Sequence, residues 1–153
     1  MQYTYEFELY RGQEQWVIEA YDFPACITQG EDVADACESA ADVLRELARD
    51  ALMGGRDLPA STFGHDPANG GMNVVVSVEA SLDAVRKVSA TEAARRLGVG
   101  RSRVTAMLDS GLLDGWRDGR NTWVTVDSIE ARLVDKPKPG RPKKSTALVQ
   151  PNE

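Results

Sequence analysis

Between Ser89 and Gly111 the chain carries helix-start and helix-stop signals in close succession, and what they permit is a pair of short helices joined by a tight turn. Ser89-Ala-Thr-Glu92 is a capping-box pattern, in which a Ser hydroxyl and a Glu carboxylate satisfy the free amides that open a helix. Ala93, Ala94 and Leu97 add a small apolar face that lets a second helix approach closely, and Gly98 supplies the left-handed residue that stops the first. Val99-Gly100 is the turn. The second helix, predicted from about Arg101 to Ser110, turns Val104, Met107 and Leu108 inward at helical spacing before Gly111 closes it. Arg101, Ser102, Arg103 and Thr105 are left facing out at its start.

That placement has a chemical meaning. The first turn of a recognition helix is where side chains meet base edges, and Arg pairs best with guanine while Ser and Thr also hold phosphates. Further on, Leu112 to Arg117 and Thr122 to Val126 read as two short strands around Asp118-Gly119-Arg120-Asn121, which places Arg117 and Arg120 near a hairpin tip. Asp127-Ser-Ile-Glu130 repeats the capping-box pattern and opens a last helix through Leu133. Residues 89 to 133, with Glu92-Ala-Ala-Arg-Arg-Leu-Gly-Val and Ser110-Gly-Leu-Leu, resemble the excisionase/MerR-type winged helix-turn-helix. The resemblance implies duplex DNA as a partner. Gly100 departs from the hydroxyl residue usual at the second helix's N-cap, a loss of a few tenths of a kcal/mol.

Charge divides the 153-residue chain in two. Residues 1–85 hold 4 basic and 16 acidic side chains, net −12, whereas residues 86–144 hold 14 basic and 7 acidic, net +7; Glu153 completes the total of −6. A phosphate-binding surface therefore belongs after residue 86, and the N-terminal half, repelled by nucleic acid, suits a basic partner. No apolar run is long enough for a membrane helix, and Met1 is not followed by a signal-peptide pattern, so the expectation is a cytoplasmic protein. Cys26 and Cys37 have neither CxxC spacing nor a nearby His and read as small core residues rather than metal ligands or a disulfide.

In the N-terminal half, Tyr3, Tyr5, Phe7 and Leu9 alternate with Thr4, Glu6, Glu8 and Tyr10, a strand with one buried face and with Glu6 and Glu8 on the solvent side. Arg11-Gly12-Gln13-Glu14 turns the chain, and Gln15 to Tyr21 returns antiparallel, up to Phe23-Pro24, where proline removes a donor. Glu31 or Asp32 caps a long helix whose apolar stripe runs through Val33, Ala36, Cys37, Ala40, Val43, Leu44, Leu47 and Ala48 to Ala51 or Leu52, ending near Gly54-Gly55. A Gly-, Pro- and Asn-rich loop from Arg56 to Gly71 leads to the β-branched strand Met72 to Val78. The expected class is α+β: a small antiparallel β-β-α-β domain at residues 1–80, a helix-turn-helix domain at 86–135, and a disordered basic tail at 136–153.

The order Phe23-Pro24-Ala25-Cys26, Thr28-Gln29-Gly30-Glu31, Ala34-Asp35-Ala36 and Leu58-Pro59 resembles the HicB-type antitoxin domain over roughly residues 3 to 80. Ala25 stands where that family usually has Gly, and the paired acids usual ahead of the helix's first Ala are missing. The resemblance implies a sheet related to a partial RNase H fold, a surface that holds a small basic RNA-cleaving toxin of the HicA type, and a separate C-terminal domain that binds operator DNA to repress its own operon. One helix-turn-helix contacts few bases, so a homodimer or higher homo-oligomer is expected. A second reading stays open, in which the chain is an excisionase-like or MerR-like regulator whose N-terminal half dimerises or senses a ligand.

Three chemical alternatives weigh less. Two-metal nuclease chemistry needs converging acids, whereas Asp35, Glu38, Asp42, Glu46 and Asp50 follow the polar face of the long helix, so neither catalysis, a metal nor a cofactor is expected. His65, the only histidine, sits in the glycine-rich loop with no evident scaffold to orient it as a base. Trp116 and Trp123 read as core of the hairpin rather than as base-stacking platforms. In the tail, prolines at 137, 139 and 142 block regular pairing, and Pro139-Gly140-Arg141-Pro142 between lysines resembles the AT-hook, with Pro139 in place of its usual first Arg. Arg141, Lys143 and Lys144 are thereby candidates either for minor-groove readout or for a sequence-blind phosphate clamp.

Overall fold

The computed structural model describes residues 1–135. The chain builds two hydrophobic cores, each closed by its own sheet. In the first, β1 (Gln2–Arg11), β2 (Trp16–Ala20), β3 (Ile27–Gly30) and, after helix α1 (Val33–Met53), β4 (Met72–Glu79) form an antiparallel sheet in the order β3-β2-β1-β4. The second contains β5 (Lys87–Ser89), α2 (Ala90–Leu97), α3 (Arg101–Asp109), β6 (Gly115–Asp118), β7 (Asn121–Thr125) and α4 (Val126–Val134), with strand order β5-β7-β6. The α+β class expected from the alternation and the helical stripe is the class observed.

The period-2 pattern of β1 sends Tyr5, Phe7 and Leu9 to one face, where they meet Ile18 of β2, Val76 and Val78 of β4 and the Ala36, Ala40 and Leu44 stripe of α1. Phe7, Leu9, Ile18 and Leu44 are fully buried, and each such side chain contributes about 1.5–3 kcal/mol. Alanines on α1 let the helix lie close to the sheet. Asp32 caps it by accepting the Asp35 amide at 2.8 Å. Gly30 is required where β3 runs into the helix's first turn, because a Cβ there would lie 2.3 Å from the Ala36 backbone nitrogen.

Several expectations need correction. The chain does not stop pairing at Pro24: it turns through residues 21–26, with the Ala20 amide donating to the Cys26 carbonyl at 2.9 Å, and adds the short edge strand β3. Likewise β5 joins the hairpin to make three strands. Residues 112–114 are not strand; Gly111 has φ 76° and turns the chain so that Leu113 fills the core and Leu112 remains exposed. The last helix is capped two residues earlier than the Asp127 pattern suggested, by Thr125, whose hydroxyl accepts the Ser128 amide. Val33, at the start of the α1 stripe, is exposed. Cys26 is buried and Cys37 half-buried, both as free thiols, and burial pushes the Cys26 thiol up to about 11. Among the described residues, no helix is long and apolar enough to cross a membrane.

Candidate nucleic-acid interface

The second core sets the geometry of α2 and α3. Ser89 accepts the Glu92 amide at 3.1 Å, as the capping pattern requires, but the Glu92 carboxylate turns away from Ser89 to bind Arg95 and Arg96. The Arg95 hydrogen bonds, with help from Arg96, hold the Glu92 carboxyl down at about 2. Gly98 ends α2 in the left-handed region with φ 66°, where a side chain would be strained, and the Val99 amide then donates to the Ala94 carbonyl at 3.0 Å. Gly100 follows as the N-cap of α3 and contributes no side-chain hydrogen bond. The Arg103 amide is taken by the Gly100 carbonyl at 3.0 Å, which leaves the Arg101 and Ser102 amides for an external acceptor, at the helix end whose dipole favours anions.

Val104 and Met107 anchor α3 in the core, which turns Arg101, Ser102 and Arg103 to solvent on its first turn. Neither arginine is ion-paired among the described residues. Thr105 departs from the expected outward position: it is half-buried, and its hydroxyl donates back to the Arg101 carbonyl at 3.3 Å. Arg117, in β6, lies 3.9 Å from Asp109 at the far end of α3, so it sits about one helix length, roughly 12 Å, from Arg101 along that axis. Arg120 is exposed beside Gly119 at the hairpin tip. Arg141, Lys143 and Lys144 lie outside the described residues.

The tryptophans of the hairpin are not core. Trp116 and Trp123 stand directly opposite each other in the β6–β7 ladder, both half-buried, with the Lys87 Nζ 5.3 and 5.6 Å from their ring centroids. A lysine over two indoles gives a rigid, cationic, partly wet surface beside the helices. Trp16, in the other unit, packs at the margin of the first core with Arg11 above its ring.

A second polar arrangement lies on the outer face of the first sheet, where solvent was expected. Glu6 and Glu8 are buried, at 7% and 1% exposure, because the segment from Pro59 to Gly71 folds over them as a strap. Glu6 accepts the His65 amide at 3.0 Å and the ring Nδ1 at 2.6 Å, and the backbone bond from His65 is the largest influence holding its carboxyl below the ordinary range. For Glu8 burial is the largest single influence and pushes upward, yet the Asn69 backbone and side-chain donors, with the Gly71 amide, outweigh it and leave the carboxyl lowered. His65 thus has the scaffold that its sequence context gave no hint of. Its ring stacks on Tyr21 at 4.2 Å, its Nε2 is 2.9 Å from the Thr62 hydroxyl, and its carbonyl accepts from Asn73 at 2.6 Å. No group of three metal-ligating side chains forms among the described residues.

No protein-family model matches the chain, and no curated protein is significantly similar to it. Among solved structures, it aligns with a HicA3 and HicB3 toxin-antitoxin complex at 20% identity and a TM-score of 0.42, over 52% of this chain and 99% of that one. It also aligns with a toxin-antitoxin complex from Streptococcus pneumoniae at 18% identity and a TM-score of 0.46, over 72% of this chain and 99% of that one.

Proposed function

We propose that this chain is a non-enzymatic antitoxin and repressor of a type II toxin-antitoxin system: the first unit holds and silences a small basic HicA-like toxin, and the second binds operator DNA as a winged helix-turn-helix. The observation that carries the DNA half is the first turn of α3, where Arg101, Ser102 and Arg103 are exposed beside amides that no side chain caps. A flat phosphate-bearing groove is the partner such a turn suits. The toxin half is supported by the resemblance of residues 3 to 80 to the HicB-type domain and by their acidic balance, net −12 over residues 1–85, which favours a cationic partner. Residues 136–144 add five of the basic side chains of the C-terminal half and extend its attraction to phosphate.

The test is co-expression with the product of the adjacent small reading frame. Growth arrest by that product alone, relief by this chain, and co-purification that survives removal of residues 86–153 are the expected results. If no small basic protein binds, the DNA-binding half is the function and the first unit serves dimerisation or ligand sensing in an excisionase-like or MerR-like regulator.

A further inference from the structure

The strap over the outer face of the first sheet is tied at its centre by a chain of four groups: Glu6, His65, Thr62 and Asp22. Glu6 receives His65 Nδ1 at 2.6 Å; His65 Nε2 is 2.9 Å from the Thr62 hydroxyl; that hydroxyl also contacts one Asp22 oxygen, while the other accepts the Thr62 amide at 2.9 Å. Hydrogens along this chain can be counted. An ionised Glu6 only accepts, so Nδ1 carries a proton. Thr62 has one hydroxyl proton and two polar neighbours. If it is given to Asp22, the hydroxyl oxygen faces Nε2 and needs a proton from that nitrogen. If it is given to Nε2, the oxygen faces an Asp22 oxygen with no proton between them. With a neutral imidazole and two carboxylates, one contact is always short of a proton.

We infer that the chain Glu6–His65–Thr62–Asp22 is a proton-held latch that keeps the strap on the sheet when it holds one proton more than a neutral imidazole and two carboxylates supply. The groups shown against His65 are acidic or neutral, namely Glu6, Thr62, Tyr21 and Asn73, with Asp22 one step further through Thr62; the charges acting on the stacked Tyr21 are Glu8, Glu6, Glu19 and Asp66. Of the four groups the imidazole is the strongest base, so the extra proton is carried by the ring on Nε2. The lowered carboxyl of Glu6 agrees with its acting as an acceptor only. An imidazole is the side chain whose proton exchanges between about pH 5 and 8, so the latch loosens as pH rises through that interval. This inference does not depend on the antitoxin reading.

Because the chain has a single histidine, the ring nitrogens of the uniformly labelled full-length protein can be read without assignment. The experiment follows both ring nitrogens by NMR across pH 5 to 9, together with the amide-exchange protection of Thr62 and His65 corrected for intrinsic exchange. The latch requires a doubly protonated ring while the strap is protected, and a fall in protection of about tenfold or more as the second proton leaves. Asp22→Asn offers one acceptor for the Thr62 amide and one donor for its hydroxyl, which lets a neutral ring complete the chain; its protection should be flat over the same interval. A single neutral tautomer in the protected state, or an unchanged pH dependence in Asp22→Asn, overturns the inference. Should that variant fail to fold, the ring measurement on the unaltered chain decides alone.

Discussion

Arg101 and Arg103 stand on the first turn of α3, where the helix dipole is positive and no acidic residue offsets it. Each arginine there is unfavourable for the helix by about 0.3–1 kcal/mol, and each contacts too little of the core to repay that through packing. Replacing both with alanine should therefore leave the fold unchanged or raise its melting temperature slightly. Binding should move the opposite way. A bidentate arginine–base pair contributes about 1–3 kcal/mol of discrimination, so losing two per subunit removes about 2–6 kcal/mol, from roughly thirtyfold to roughly ten-thousandfold or more in affinity. Fluorescence anisotropy with a duplex from upstream of the chain's own reading frame, against a scrambled duplex, measures the change, and thermal melting checks the fold. Affinity for the specific duplex within about threefold of the parent, with the fold intact, would refute the assignment of α3 as the reading helix.

Leu44→Ala opens a cavity under the first sheet at a fully buried position and should cost about 2–5 kcal/mol in urea unfolding. Gly30→Ala drives a Cβ into the Ala36 backbone and should lower stability by about 1–3 kcal/mol, most visibly as lost amide protection at the start of α1. Glu6 and Glu8 have lowered carboxyl values, so the stability they contribute is present above the ordinary carboxylate range near 4.5 and is lost as pH falls through their lowered values. The urea midpoint should drop as pH falls below about 5, and Glu8→Gln should flatten that drop. Deleting residues 136–153 should weaken DNA binding chiefly at low salt and reduce the slope of log affinity against log salt, by up to about one per lost phosphate contact; an unchanged slope makes the tail a bystander.

What the sequence disclosed followed from periodicity and caps. The α1 stripe, the Asp32 cap, the alternation of β1 and the Ser89, Gly98 and Gly111 boundaries are local signals, and each reappears in the structure within a residue or two. Hidden features share a different cause. β3 and β5 are short, and β3 includes Thr, Gln and Gly rather than an apolar alternation; their pairing is set by neighbours already in place. The alternation correctly put Glu6 and Glu8 on the face away from α1, but no periodic signal announces that a segment some sixty residues later will cover that face. For the same reason His65 looked unsupported. Of the DNA-contact candidates, Arg101, Ser102 and Arg103 sit on one exposed turn as expected, whereas Thr105 is drawn back to its own helix by a carbonyl only four residues away.

Glu8 and Glu19 face each other directly across the β1–β2 ladder, an opposition of like charges that by itself works against the hairpin. The Asn69 side-chain amide reaches both, at 2.8 Å to Glu8 and 3.3 Å to Glu19, and β1 gains its second neighbour only from β4. A ribosome releases these pieces in the wrong order for early assembly: the hairpin emerges first, carrying its repulsion, and the amide that relieves it and the strand that flanks it come some fifty residues later. The sheet of the N-terminal unit is therefore complete only once residue 79 has cleared the exit tunnel. Truncation short of that should leave β1 without its second neighbour and the Glu8–Glu19 opposition unrelieved.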